Sequence, residues 1–459
     1  MAESNALAGP DRRRGLDHQN SLDGLRAVAA LTVLAFHVAG ITGITMQDTL
    51  GGRIGSRADV AVPIFFGLSG LLLYRPWARA TLAGASGPSS PAYLWRRALR
   101  ILPAYWILVV VALIAYSPEH IDSPVTWLQW LTLTQIYDLD PWWHLPGPSG
   151  LAHMWSLSTE VAFYLVLPFL AMALGAYARY GKGRESVSVR GRRLLLALGA
   201  LSLISPLFNA WLIQTQQHFG MYLWLPRVLW WFTAGMVIAV LGEWARQEEG
   251  AVRTFCRTLA YSPGTTWLIA LAAYAVACTG AAASAVVNWR VPLWQNEARI
   301  TLFMIVAACV IAPAAFQTAN ESYVSSLLGN AVMRFLGRIS YGIFLWQFVV
   351  INIYYDVADR DRVTFDFLPI LIVCTIGTIA LATVTYYVIE KPAMRLRNLV
   401  RERRSTPPAA RIEPVSPAAP ISPAAPVAAI PPVTPAAPAA PAIQQPVIQW
   451  HAVPTDEVR

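Results

Sequence analysis

His37, Glu160 and the arginines Arg26, Arg97 and Arg100 are the residues of this 459-residue sequence best suited by type and position to chemistry. Imidazole titrates near neutral pH, so a fixed histidine serves as a general base or, through a ring nitrogen, as a transient acyl carrier. Of seven histidines, His37 alone lies deep in an apolar run, 23–44, while His153 stands at the outer edge of another. Arg26 precedes His37 by eleven residues. On a helix that is about 16 Å and close to three turns, so both side chains face nearly the same way. Glu160 falls in the first turns of the apolar run 155–178 and is expected at a depth similar to His37. A carboxylate there can orient an imidazole or stabilise its protonated form. Arg97 and Arg100, three apart, share one helix face, and paired guanidiniums bind phosphate oxygens bidentately. Plainer explanations stand beside each: a packing histidine, a carboxylate in water, and the arginine that any cytoplasmic loop collects.

The elements that must position these residues are membrane helices. The chain is 56% hydrophobic and 13% charged, with mean hydropathy +0.45. Soluble domains carry about 25% charge. A bilayer-spanning helix needs about 20 mainly apolar residues. Ten runs qualify: 23–44, 60–78, 101–117, 155–178, 194–213, 222–242, 266–286, 300–317, 335–355 and 367–389. The stretch from Trp127 to Tyr137 is too short to cross and reads as an interfacial or re-entrant piece, rich in Trp and Tyr. With the N-terminus inside, the cytoplasmic segments hold 25 Lys and Arg and the outer loops hold 6. That asymmetry fits ten spans, with both termini cytoplasmic in a multi-pass protein of the cell membrane. It also explains the formal charge of +9 without any nucleic-acid partner. The segment 118–154 has no Lys or Arg, as an outer loop should.

The expected architecture is an all-α polytopic transmembrane bundle: a cytoplasmic N-terminal segment over 1–21, a membrane domain over 22–395, and a Pro/Ala-rich cytoplasmic tail over 405–459. Proline-rich runs such as Pro417–Pro420 and Pro435–Pro441 build no packed core, so the tail is expected to be disordered and partly polyproline II. The first apolar run lacks a cleavage site after a short core, and reads as an uncleaved first helix. The cysteines Cys256, Cys278, Cys309 and Cys374 are scattered singly, with neither metal-ligand nor disulfide spacing.

Six motifs in order resemble acyltransferase family 3 of the membrane-bound O-acyltransferases. Leu22-Asp23-Gly24-Leu25-Arg26-Ala27 followed by His37 is similar to the family's Arg-x10-His signature. Phe65-Phe66-Gly67-Leu68-Ser69-Gly70 looks like its second-helix motif, and Arg97-Ala98-Leu99-Arg100 like its RxxR motif, with Pro103 and Tyr105 following. Trp155 to Glu160 with Phe163-Tyr164, Ser340 to Trp346, and Tyr387 to Pro392 resemble the later signatures. Gln347 stands where many relatives have histidine, which removes acid/base chemistry there but leaves hydrogen bonding. No SGNH-type hydrolase domain follows the last apolar run, which resembles the stand-alone type.

The resemblance implies transfer of an acyl group, commonly acetyl, from acyl-CoA as co-substrate to a hydroxyl of a sugar or glycolipid in a bacterial cell envelope, with no permanently bound cofactor or metal. His37, Glu160 and Arg26 become the expected catalytic residues. Arg97, Arg100 and Arg26 become the expected donor-binding residues. Ser69, Trp155, Tyr164, Tyr341 and Gln347 are pocket candidates, Ser69 a minor one that reads more readily as a small packing residue beside Gly70. The competing class is a proton-coupled transporter using the same buried His and Glu, although the hydropathy pattern has no clear inverted repeat.

Overall fold

The computed structural model describes residues 10–144, 146–181, 186–279, 292–317 and 323–400, with side chains from residue 20 onward. The expected tail, 405–459, and most of the N-terminal segment lie outside the described residues or side chains. Among the described residues every regular element is helical. The helices that matter here are α1 (Pro10–Ile41), α2 (Ala61–Leu82), α3 (Ser90–Tyr116), α4 (Pro124–Leu131), α5 (Trp155–Arg179), α6 (Val187–Ser202), α7 (Ile204–Gln214), α8 (Leu225–Gln247), α9 (Ala251–Tyr261), α10 (Pro263–Ala277), α11 (Leu293–Phe316), α12 (Tyr323–Leu328), α13 (Ala331–Ala358) and α14 (Phe367–Thr385). A π-helical turn, Tyr386–Glu390, follows α14 directly.

Local chemistry sets several starts. Proline in the first turn of α3, α4, α8 and α10 has no N–H to leave unpaired there. Asn330 caps α13 by accepting from the Met333 amide at 3.0 Å. Nine helical stretches among the described residues are long and apolar enough to cross a membrane. The expected seventh span, 266–286, differs. It appears as α10, a 15-residue helix of about 22 Å, short of a hydrocarbon core about 30 Å thick; the remainder from 280 lies outside the described residues. Among the described residues, nine stretches of spanning length and one short apolar helix stand where ten spans are expected, the rest of the seventh lying outside them.

The stretch Trp127 to Tyr137 does not cross. α4 has eight residues, and the chain breaks at Leu133, whose φ is 60°. The Tyr105 hydroxyl on α3 donates to the Trp130 carbonyl at 2.5 Å, anchoring α4 against the bundle.

Two close backbone crossings organise the core, and both use motif glycines. On α2, a Cβ at Gly70 would strike the Phe232 carbonyl of α8, and a Cβ at Gly235 of α8 would strike the Gly67 carbonyl. Small residues that let backbones touch are a main source of helix association in lipid. On α1, Gly24 abuts the Leu328 carbonyl of α12, and Gly337 of α13 abuts the Asp23 carbonyl. Phe66, Phe163 and Phe232 stack beside the first crossing, at centroid separations of 4.4 and 4.2 Å from Phe232.

Candidate active site

A cavity of about 620 Å³ opens among α1, α2, α3, α5, α13 and the π-helical turn. Five arginines line it: Arg26, Arg75, Arg97, Arg100 and Arg338. Their charges are compensated very differently. Arg75 is held by buried Glu243 at 2.6 Å, which also receives Arg79 at 2.8 Å and Arg246 at 3.2 Å. Arg26 is paired one turn back with Asp23 at 2.8 Å. Arg100 meets Glu390 at 2.7 Å, donates to the Arg338 carbonyl at 3.3 Å, and lies 5.9 Å from the centre of the Tyr341 ring. The Tyr341 hydroxyl in turn donates to the Ile101 carbonyl at 2.9 Å. Neither Arg338, which is exposed, nor Arg97 has an ion pair among the described residues, and the informative one is the more enclosed Arg97. Its buried Nε has no hydrogen-bond partner, and among the described residues no carboxylate pairs with it. A buried guanidinium nitrogen left without a partner is costly, so an anion bound here would stabilise it.

The expected Arg97/Arg100 pair is thus divided. Both line one cavity, but Arg100 is already engaged by the π-helical turn, where the wider ring re-aims Glu390 into the bundle.

Midway along the cavity, Glu160 accepts from the Ser69 hydroxyl and from the Tyr164 hydroxyl, the latter at 2.7 Å. All three residues are on the cavity wall. Ser69 therefore carries a hydrogen bond, while its neighbours Gly67 and Gly70 supply the close packing.

His37 lies elsewhere. Its Nδ1 faces Gln347 Oε1 at 3.0 Å. The other end of the Gln347 amide, Nε2, donates to the Phe344 carbonyl at 2.9 Å, which fixes the amide's orientation. Gln347 Oε1 can only accept, so His37 Nδ1 carries the proton and Nε2 holds the free lone pair. A glutamine that cannot titrate thereby selects the tautomer with the proton on Nδ1.

Glu160 makes no hydrogen bond to His37; its partners are Ser69 and Tyr164. The place expected for the carboxylate is taken by His153, whose ring centre is 5.9 Å from that of His37. His153 sits in a 3-10 turn, Ala152–Met154, just before α5. Glu160 follows seven residues later, about two turns or 10 Å further along α5. His153 Nε2 donates to the Leu345 carbonyl at 3.1 Å, and its buried Nδ1 has no partner. Hydropathy placed His153 at an outer edge, but the turn folds it into the bundle at 3% exposure. Its one signal in sequence was its position two residues before Trp155, in a loop leading into a motif.

Of the pocket candidates, Ser69, Tyr164 and Tyr341 line the cavity, whereas Trp155 and Gln347 do not, and neither does His37. Among the described residues no group of three or more His, Cys, Asp or Glu is placed to hold a metal.

The sequence pattern of a family described as the acyltransferase domain, family 3, matches residues 19–387. This chain belongs to acyltransferase family 3. The match takes in five of the six motifs whole and only Tyr387 of the last, and all the residues that line the cavity except Met394. Membership makes the chain an enzyme of the transferase class, embedded in a membrane. Among its relatives, nodulation protein 10 of Rhizobium leguminosarum is 24% identical over 86% of this chain and 99% of that protein. A Bacillus subtilis protein with the provisional name peptidoglycan O-acetyltransferase is 24% identical over 81% of this chain and 54% of that protein. The peptidoglycan O-acetyltransferase of Listeria monocytogenes is 23% identical over 72% of this chain and 49% of that protein. The chain thus spans about half the length of the two O-acetyltransferases and nearly all of the nodulation protein. No solved structure matches this family member.

Proposed function

We propose that this family member transfers an acyl group, acetyl first among them, from cytoplasmic acyl-CoA to a hydroxyl of a sugar or glycolipid of the cell envelope. The observation that carries the donor half is Arg97, whose buried Nε has no hydrogen-bond partner and which makes no ion pair among the described residues, Glu160 being the nearest carboxylate on the cavity wall it shares. A polyphosphorylated nucleotide supplies an anion for it, and Arg26 and Arg100 flank the same space. The loop charges support cytoplasmic entry, with α3's arginine end on the inner side in this reading. The printed names of the Bacillus and Listeria relatives support a hydroxyl of an envelope polymer as acceptor.

In this reading His37 Nε2 takes the proton of the acceptor hydroxyl as its oxygen attacks the thioester carbonyl. The new C–O bond forms, the C–S bond breaks, and the proton passes to the departing CoA thiolate. Gln347 holds the tautomer. Glu160, with Ser69 and Tyr164, shapes the passage between the phosphate end and the histidine end rather than orienting His37. Trp155 is left without a role in this scheme.

The test is mass spectrometry of envelope lipids and glycans from cells with the wild-type gene, without it, and with His37→Gln. An acyl mass present only with the wild type is expected. Full acylation by an inserted, folded His37→Gln protein would remove the assignment of His37.

A further inference from the structure

The histidines lie off the cavity wall. His37, Gln347 and His153 are all absent from the cavity wall, yet Phe344, three residues before Gln347, is on it. The Phe344 ring packs edge-on against the His153 ring at 5.1 Å. It also packs with Phe65 onto the cluster Ala29, Val33 and Ala61 at the meeting of α1 and α2. Counting along the helices, the arginines occupy one end of the cavity, and Val62, Phe65 and Phe344 line the other. On α13 alone, Arg338 to Phe344 is a rise of about 9 Å.

We propose that Phe344 is the partition between the donor cavity and the histidine chamber, closing the thioester off from His37 until an acceptor is in place. This rests on the donor reading above. An acyl-CoA whose phosphates lie at the arginines extends its thioester toward the apolar end, where the Phe344 ring stops it. Behind the ring wait a base-competent nitrogen, His37 Nε2, and the unpartnered Nδ1 of His153. If the two compartments were joined permanently, water could take the acceptor's part. Its oxygen would attack the thioester carbonyl, His37 would take its proton, and free acid and CoA thiol would form. A ring that swings aside only with the acceptor protects the donor from that loss.

The experiment uses the purified full chain in lipid nanodiscs with acetyl-CoA and no acceptor. Thiol release is followed by a thiol reagent, and acetyl-CoA binding is read separately by thermal shift. Phe344→Ala should bind acetyl-CoA and raise thiol release by about tenfold or more, the lower range of a general base gaining access. Phe344→Val should rise less, and Phe344→Leu least. His37→Gln added to Phe344→Ala should remove the gain. Because Phe344→Val keeps more of the packing, it carries the test if the alanine variant does not fold. Variants that bind acetyl-CoA but release thiol no faster than wild type overturn the partition, as does a gain that survives His37→Gln. Absence of acetyl-CoA binding to the wild type overturns the donor reading, and the partition falls with it.

Discussion

The two ends of the site solve opposite problems. At the arginine end the protein keeps charge: five guanidiniums share a cavity, and carboxylates at Asp23, Glu243 and Glu390 neutralise all but part of it. At the histidine end it keeps neutrality. His37 and His153 are surrounded by Phe36, Phe344 and Phe348, and their polar partners are an amide and a backbone carbonyl. On the proposed reading, the difference teaches that binding and proton chemistry are kept apart within one bundle. Anion capture benefits from an unpaired cation, whereas a base benefits from neighbours that fix its proton and add no charge.

The division is broken most directly at His37. His37→Gln should lower acyl transfer by about 10²–10⁴-fold, the span of general-base contributions, with acetyl-CoA binding retained. Loss of donor binding in the same variant would mean that the two ends are one site. Next in size, Arg97→Ala should raise the donor KM by roughly ten- to a hundredfold, since a charged hydrogen bond contributes about 1.5–3 kcal/mol. Steady-state kinetics with acetyl-CoA checks this, and kcat should change far less than KM. Gln347→Leu removes the acceptor for Nδ1–H and frees the wrong tautomer to form. Its expected cost is roughly tenfold in kcat with donor KM unchanged, the lower end of effects from the group that orients a ligand or base. A matched rise in KM would place Gln347 among the binding groups instead. The smallest effect belongs to Arg100→Ala, because its guanidinium is already paired with Glu390. A donor KM raised only about two- to fivefold is expected, as for a partly exposed ion pair worth about 0–1 kcal/mol. An effect as large as that of Arg97→Ala would show that the arginines act as the even pair their spacing suggested.

Much of this was legible in the sequence, and the rest failed for definable reasons. Run length and charge gave the helices, since both follow from the thickness and polarity of a bilayer. Arg26, Arg97 and Arg100 were found in one place because helix spacing fixes which residues share a face. The pairing of His37 with Glu160 was not recovered, because counting along a span gives depth but not which neighbour a side chain meets. A 3-10 turn then brought His153 into the gap, and no periodicity announces three residues of that kind. The unequal fates of Arg97 and Arg100 depended on Glu390, 290 residues further along, delivered by a π-helical turn. Gln347 was noted as a departure from the resemblance, but its use required knowing that its amide also reaches the Phe344 carbonyl.

The glycine seam between α2 and α8 has a mechanical meaning. Where backbone touches backbone at Gly67, Gly70 and Gly235, the two helices form a single beam of double width. Such a beam does not open to admit a bulky nucleotide, so the Ser69–Glu160–Tyr164 bonds are anchored on one side to a fixed post. Any breathing falls to α3, which meets the α13 side of the cavity through Arg100, by its contacts with the Tyr341 ring and the Arg338 carbonyl and its ion pair with Glu390. Paired spin labels should therefore report a constant separation across α2 and α8 while those across α3 and α13 change on loading: a ruler on one side of the enzyme, and a door on the other.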